Sequence, residues 1–328
     1  MCCTMFSIPI LFITFNRPQH TRKVLEVIMA AQPQNLYVFQ DGAREDNTED
    51  CLKCGEVRRV ISSLTEDVPA RLNTFYSDRN LGCGPGPAAA LNWFFAQNEM
   101  GIVLEDDAVP HPDFFLYCEE LLLRYKDDVS VMAIGSMKIA QEKKHGDGSY
   151  YFSMMNRNLC AWATWRRAWK CFDIGLEHVS RRDLSRALRK YGCGVLERYY
   201  WCDRLDEVHE DLCGGKSWDM QFFMSIWIHH GKGIIPNVNL SSNIGTVGEG
   251  THVMGEGNII ENLPTESILP LVHPASFEIM HDADKQFHFT YFEPNKKQWG
   301  EGKIFYYAVN KALKRLVGHK GPWIKRKV

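Results

Sequence analysis

Four short apolar runs within the first 105 positions, separated by three helical patterns, restrict this chain to very few architectures. Residues 9–15 (PILFITF) suit a strand buried on both faces. Asn16 is placed to cap a helix that carries Pro18 in its first turn and continues through Val24, Leu25, Val27 and Ile28. A second strand is expected at 36–40 (LYVFQ), ending on Asp41-Gly42, then a charged helix over 49–64 and a third strand at 71–76. The segment 80–87 (NLGCGPGP) opens a helix through Leu91, Phe94 and Phe95. A fourth strand at 102–104 runs into Glu105-Asp106-Asp107. This order predicts an α/β fold with a mostly parallel central sheet flanked by helices, and ligands bound beyond the carboxyl ends of the strands. The residues at those ends are Thr14, Asn16 and Arg17, then Asp41 and Gly42, then Asp78 and Arg79, then the three acids.

After Pro110 the pattern changes. A helix is expected over 112–125 and a strand over 131–135, followed by a polar loop and an aromatic-rich stretch. Helical patterns return near 164–172, 181–191 and 218–230, and 234–240 reads as a strand. This half is α+β in character and is expected to form the other side of a cleft. No clean linker interrupts the chain. It divides into a main unit, 1–300, with a first half (1–110) and a second half (111–300), and a tail, 301–328.

Composition narrows the class without choosing a function. The 45% hydrophobic and 24% charged content is that of a soluble globular protein. Eleven cysteines show neither a disulfide framework nor paired zinc-site spacing, so they read as reduced, which implies a reducing compartment. Residues 1–15 are apolar but lack a basic start and a small-residue cleavage site, and read as a first strand. No apolar run reaches the length of a membrane span. The expected location is cytoplasmic, with peripheral attachment at the inner face of the plasma membrane.

That attachment is assigned to the tail. Residues 303–328 carry eight Lys or Arg and no acid, while the rest of the chain holds 30 basic and 40 acidic side chains. Over 304–317, Phe305, Val309, Leu313 and Leu316 share one helical face, with Lys311, Lys314 and Arg315 towards the other. Such a basic amphipathic helix either lies on an anionic membrane, with Trp323 at the headgroup level, or packs its stripe on the main unit. The acidic body opposes nucleic acid as a partner.

The chemistry centres on Leu104-Glu105-Asp106-Asp107-Ala108. Three adjacent carboxylates repel, and no basic residue within several positions neutralises them. A divalent cation such as Mg²⁺ or Mn²⁺ would relieve that repulsion and keep positions open for phosphate oxygens. In extended backbone Glu105 and Asp107 fall on one side and Asp106 on the other. An isolated acidic triplet is more often a solvated turn, but this one closes a strand and precedes His111-Pro112-Asp113 and an aromatic helix.

The segment GIVLEDDAVPHPDFFLYCEELL resembles the metal-binding region of nucleotide-sugar transferases with the Rossmann-like GT-A fold, especially GlcNAc-transferase I and bacterial surface-polysaccharide glycosyltransferases. PILFITFNRP, QDGAR, NLGCGPG and AWATWRRAWK follow in the same order, over roughly residues 8–255. The resemblance implies that Asp107 ligates Mn²⁺ or Mg²⁺, that Glu105 and Asp106 contact sugar or ribose, and that Thr14, Asn16 and Arg17 lie under the nucleotide. It further implies that Asp41 pairs with the base and Arg79 approaches the phosphates. Trp218-Asp219 matches a site where Asp is the catalytic base, although Asp is also common at helix starts. Trp162 and Trp218 are candidate sugar contacts, and His252 a candidate second metal ligand. Ala161 stands where relatives often carry Gly.

The function so implied is inverting transfer of a sugar from a nucleoside-diphosphate donor, a UDP-sugar by preference, to a glycan or lipid-linked acceptor. A sugar-nucleotide pyrophosphorylase would share the sheet, but would need a Gly-rich loop where this chain has Asn16-Arg17-Pro18-Gln19. A non-catalytic sugar-binding protein of the same fold is the other rival.

Overall fold

The computed structural model describes residues 6–66, 68–139, 143–155, 161–210, 218–245 and 261–292. In chain order the elements of the first half are β1 (Ile10–Thr14), α1 (Pro18–Ala30), β2 (Asn35–Gln40), α2 (Thr48–Thr65), β3 (Arg71–Tyr76), α3 (Pro85–Gln97) and β4 (Met100–Glu105). There follow β5 (Ala108–Pro110), α4 (Asp113–Arg124), β6 (Val131–Gly135), β7 (Tyr150–Ser153), β8 (Ala161–Trp165) and the single turn α5 (Arg166–Trp169). Then come α6 (Arg181–Lys190), α7 (Val195–His209), α8 (Asp219–Ile228), β9 (Lys232–Pro236), β10 (Ser241–Asn243) and α9 (His281–Phe287), which runs into a π turn at His288–Phe292.

The main sheet has the order β3-β2-β1-β4-β8-β6-β9-β7. β3, β2, β1 and β4 are mutually parallel, while β8 and β7 run antiparallel to their neighbours. A small second sheet joins β5 to β10. Strand β8 from the second half pairs directly with β4, so the two halves of the chain share one sheet.

Alternation along the strands fills two cores. Leu11, Ile13, Phe39, Val103 and Trp162 face a layer built by α3, α6, α7 and α8. Ile10, Phe12, Val38, Ile102, Leu104 and Ala163 face α1, α2 and α4. Burial on both faces is why these strands are continuous apolar runs.

Three local expectations are corrected. The helix expected near 164–172 is only the single turn α5, and residues 164 and 165 belong to the strand β8. Alternation therefore sends Trp162 into one core and Trp165 into the other, which i, i+3 helical spacing would not do. The strand expected at 234–240 ends at Pro236, after which Asn237 and Asn239 bind neighbouring loop carbonyls. Asn16 does not cap α1: the N-cap is Arg17, whose side chain makes no capping bond, and Asn16 instead donates to Asp50 at 2.8 Å. The sequence reading assigns no element to α7, whose apolar and charged residues form no clean stripe. The tail and His252 lie outside the described residues.

Candidate active site at the carboxyl edge of the parallel strands

Parallel pairing sets the site. Ile13 of β1 lies opposite Glu105 of β4, so the chain leaving β1 passes beside the acidic triplet. Four residues beyond Ile13, Arg17 donates through Nη2 to Asp106 Oδ1 and through Nη1 to Asp107 Oδ2, the latter at 3.2 Å. The cation missing from the local sequence is therefore supplied from 90 positions away. A turn at Asp106-Asp107 ends the strand and breaks the expected alternation, which lets one guanidinium serve both carboxylates. Burial works against the charge on Arg17, but the fields of Asp106, Asp107 and Glu105 outweigh it and hold its pKa above the usual value.

Neutralisation is incomplete. Asp106 Oδ2 and Asp107 Oδ1 are buried and have no hydrogen-bond partner. Burial, and then the Asp107 charge, raise the Asp106 carboxyl despite Arg17 and His20. Glu105 points to the opposite face, with Val103 and Trp162. Burial, Asp107 and Asp106 push its pKa well up, and Asp219 adds to that rise. The charge of Asp219, at the first position of α8 and exposed, is thus felt at the acidic triplet from the far side of the sheet edge.

The loop after β10 closes on the same place. Ile244 N donates to the Asp107 carbonyl at 2.8 Å, and His20 Nε2 meets the Ile244 carbonyl at 3.1 Å. A Cβ on Gly245 would stand 2.3 Å from Asp107 Oδ2, so any larger residue there would displace that carboxylate or the loop. His20 and Gly245 were not singled out in the sequence. The signal for His20 was its place one turn into α1, behind the first strand's carboxyl end.

The other candidates are placed as follows. Thr14 is buried and donates to the Phe39 carbonyl at 3.0 Å. Asp41 accepts from Gly42 N, Leu81 N, Gly82 N and Asn80 Nδ2 at 2.8–3.1 Å, which fixes the glycine-rich loop before α3. Burial raises its pKa against those bonds. Gly42 lies so close to Arg79 that a Cβ would meet its backbone at 2.5 Å, and the Arg79 side chain is exposed.

Trp162 and Trp218 are corrected. Trp162 is fully buried and Trp218 is 5% exposed, with ring centroids 5.7 Å apart and Phe222 against Trp162. β8 lies inside the sheet and α8 covers it, so these rings present no face to a sugar. They support the end of α8 that carries Asp219.

No group of three or more His, Cys, Asp or Glu that could hold a metal ion occurs among the described residues. Asp106 and Asp107 each keep one carboxylate oxygen without a partner. One or two carboxylates completed by substrate phosphates is how Mg²⁺ is commonly held.

No family model and no curated protein matches the chain. Solved structures resemble it at low identity. An apo UDP-glucose pyrophosphorylase is 10% identical, covers 72% of this chain and 92% of its own, and has a TM-score of 0.38. The 4-diphosphocytidyl-2C-methyl-D-erythritol synthase of Anaerococcus prevotii is 10% identical over 50% of this chain and 74% of its own, with a TM-score of 0.33. A UDP-glucose pyrophosphorylase complexed with UDP-glucose, also 10% identical, covers 50% and 78%, with a TM-score of 0.30. Those activities belong to those proteins.

Proposed function

We propose that the chain is a GT-A glycosyltransferase that moves a sugar from a nucleoside-diphosphate donor, a UDP-sugar by preference, to a hydroxyl of a glycan or lipid-linked acceptor. The observation that carries this reading is the meeting of Arg17, Glu105, Asp106 and Asp107 at the carboxyl edge, with the charge of Asp219 acting on Glu105. Asp107, with Asp106 beside it, would hold Mn²⁺ or Mg²⁺ through the unpartnered oxygens. The cation supplies an offset to the negative charge of the departing diphosphate.

The chain's own residues do the rest. Arg17 fixes the two carboxylates by occupying one oxygen of each. Glu105, at the end of β4 beside them, is placed to contact a sugar or ribose hydroxyl. Asp219, exposed at a helix start, takes the hydroxyl proton as attack inverts the anomeric carbon. Asp41 shapes the loop at 80–82 on the base side, with Thr14 and Asn16 holding the floor beneath the nucleotide. Arg79 approaches the phosphates. His252 as a second ligand and the basic tail as a membrane contact complete the reading. No helix among the described residues is long and apolar enough to cross a membrane.

The pyrophosphorylases named above raise a second reading, nucleotidyl transfer. Against it, the turn between β1 and α1 carries no glycine, and its arginine is bound to carboxylates. A thermal-shift screen of nucleoside-diphosphate sugars with and without Mn²⁺, followed by product NMR, decides. Sugar transfer or slow donor hydrolysis with release of the nucleoside diphosphate supports the first reading. Formation of a nucleoside triphosphate from donor and pyrophosphate replaces it with the second.

A further inference from the structure

Helix α6, remote in sequence from the acidic site, has a face that its own stability does not explain. Leu184, Ala187 and Leu188 are buried, and the opposite side carries Arg182, Arg186 and Arg189 at i, i+4 and i+7. These three arginines and Ser185 line a shallow surface depression. Arg186 reaches Asp183 at 3.4 Å, an exposed contact of little weight. Arg182 and Arg189 have no carboxylate within ion-pairing distance among the described residues.

Two features oppose this row. Arg182 stands in the first turn, at the positive end of the helix dipole, where a cation is unfavourable. Arg182 and Arg186 form a like-charge pair one turn apart, which also destabilises a helix. The capping box of Ser180 and Asp183 offsets the strain at that end. Arg181 is spent differently: it donates to the Cys202 carbonyl at 2.9 Å, to Asp203 and to Asp206, and so locks α6 onto α7. The guanidinium row is therefore held on a fixed support, and Asp183 offsets only part of its charge, on a chain whose body is acidic.

We infer that the exposed face of α6 is a docking surface for an anionic phospholipid bilayer. A flat array of headgroups can meet all three guanidinium groups at once along about 10 Å of helix. A single phosphate would instead call for donors converging on one point. This surface is independent of the transferase reading and of the basic tail.

Flotation of the full chain with vesicles of phosphatidylcholine, alone or with phosphatidylserine, tests it. The protein is expected to float only with the anionic vesicles and to be released by salt. With each basic group worth on the order of 1 kcal/mol at such a surface, R182Q/R186Q/R189Q should lower partitioning roughly 100-fold. Its thermal melt should match or exceed the parent's, because the removed charges repel. Should the triple variant fail to fold, Arg189→Gln alone is expected to lose roughly 5-fold. Equal flotation of the variants and the parent overturns the inference, since attachment then runs through other residues such as the tail. It is overturned equally if the parent ignores anionic vesicles, or ignores them while binding inorganic polyphosphate, which would make the row a site for a soluble polyanion.

Discussion

Arg17 donates to Asp107 at 3.2 Å across 90 positions of sequence, and the same guanidinium holds Asp106. The contact makes β1 and β4 one electrostatic unit at the sheet edge. Arg17 is 18% exposed and the Asp106 side chain 3%, so loss of the arginine strands a buried carboxylate. Arg17→Ala is expected to lower stability by about 3 kcal/mol, as for other broken buried pairs. Denaturant titration at neutral pH measures it. Millimolar Mn²⁺ should restore part of the loss; a variant as stable as the parent would show that the pair contributes nothing net.

The two unpartnered oxygens lead to the next expectation. Nucleoside-diphosphate binding should require a divalent cation and should lose that requirement, along with most of its affinity, in Asp107→Ala. Calorimetry of UDP with Mn²⁺ or with EDTA is the measurement. Equal affinity in EDTA for the parent would remove the cation from the proposal.

Gly245 gives a test that leaves the carboxylates chemically intact. In Gly245→Ala the new methyl would stand 2.3 Å from Asp107 Oδ2, so either the carboxylate or the loop must shift. Cation-dependent UDP affinity is expected to fall at least 10-fold while the melting temperature moves by only a few degrees, because the fault is confined to a loop. Unchanged affinity would mean that the loop yields and Asp107 does not depend on it.

Asp50 carries a pH prediction. The Arg44 hydrogen bond, ahead of the opposing effect of burial and helped by Asn16, lowers its pKa to about 2. A folded-state pKa below the unfolded value of about 3.9 stabilises the native state above that value. The contribution is lost as pH falls from about 4 through about 2. Asp50→Asn should therefore be less stable than the parent at pH 7 and converge with it near pH 2, in urea titrations across that range. Curves separated by a constant amount would assign the difference to packing.

Strands β1, β2 and β4 were legible because each is a doubly buried apolar run bounded by polar residues. The expected bounds of the strands Arg71–Tyr76 and Val131–Gly135 coincide with the observed ones. What escaped has physical causes. AWATW lies in a central strand where every residue is buried, so no alternation marks it, and the helix expected at 164–172 overlaps its end. The aromatic pair Trp162 and Trp218 carries the signature of a sugar platform and of a core alike, and only burial tells them apart. The partner of the acidic triplet was invisible to a local reading because parallel pairing, not neighbourhood in sequence, brings Arg17 to it.

Asp219 decides whether the acidic edge is a catalytic centre. It opens α8 directly after Trp218, whose ring packs on Trp162, and its charge acts on Glu105. An Asp in a first helical turn also stabilises the helix, by about 0.3–1 kcal/mol, so a stability effect alone says nothing about catalysis. Asp219→Asn preserves shape and removes the base. Turnover is expected to fall roughly 10²–10⁴-fold, with UDP affinity and its cation dependence unchanged. Asp219→Glu should recover part of the activity, since a carboxylate returns about one bond length away. The product of the parent enzyme should show inversion at the anomeric carbon by NMR. Near-parental turnover in Asp219→Asn would leave this residue a helix-start stabiliser and move the search for a base elsewhere on the acceptor side.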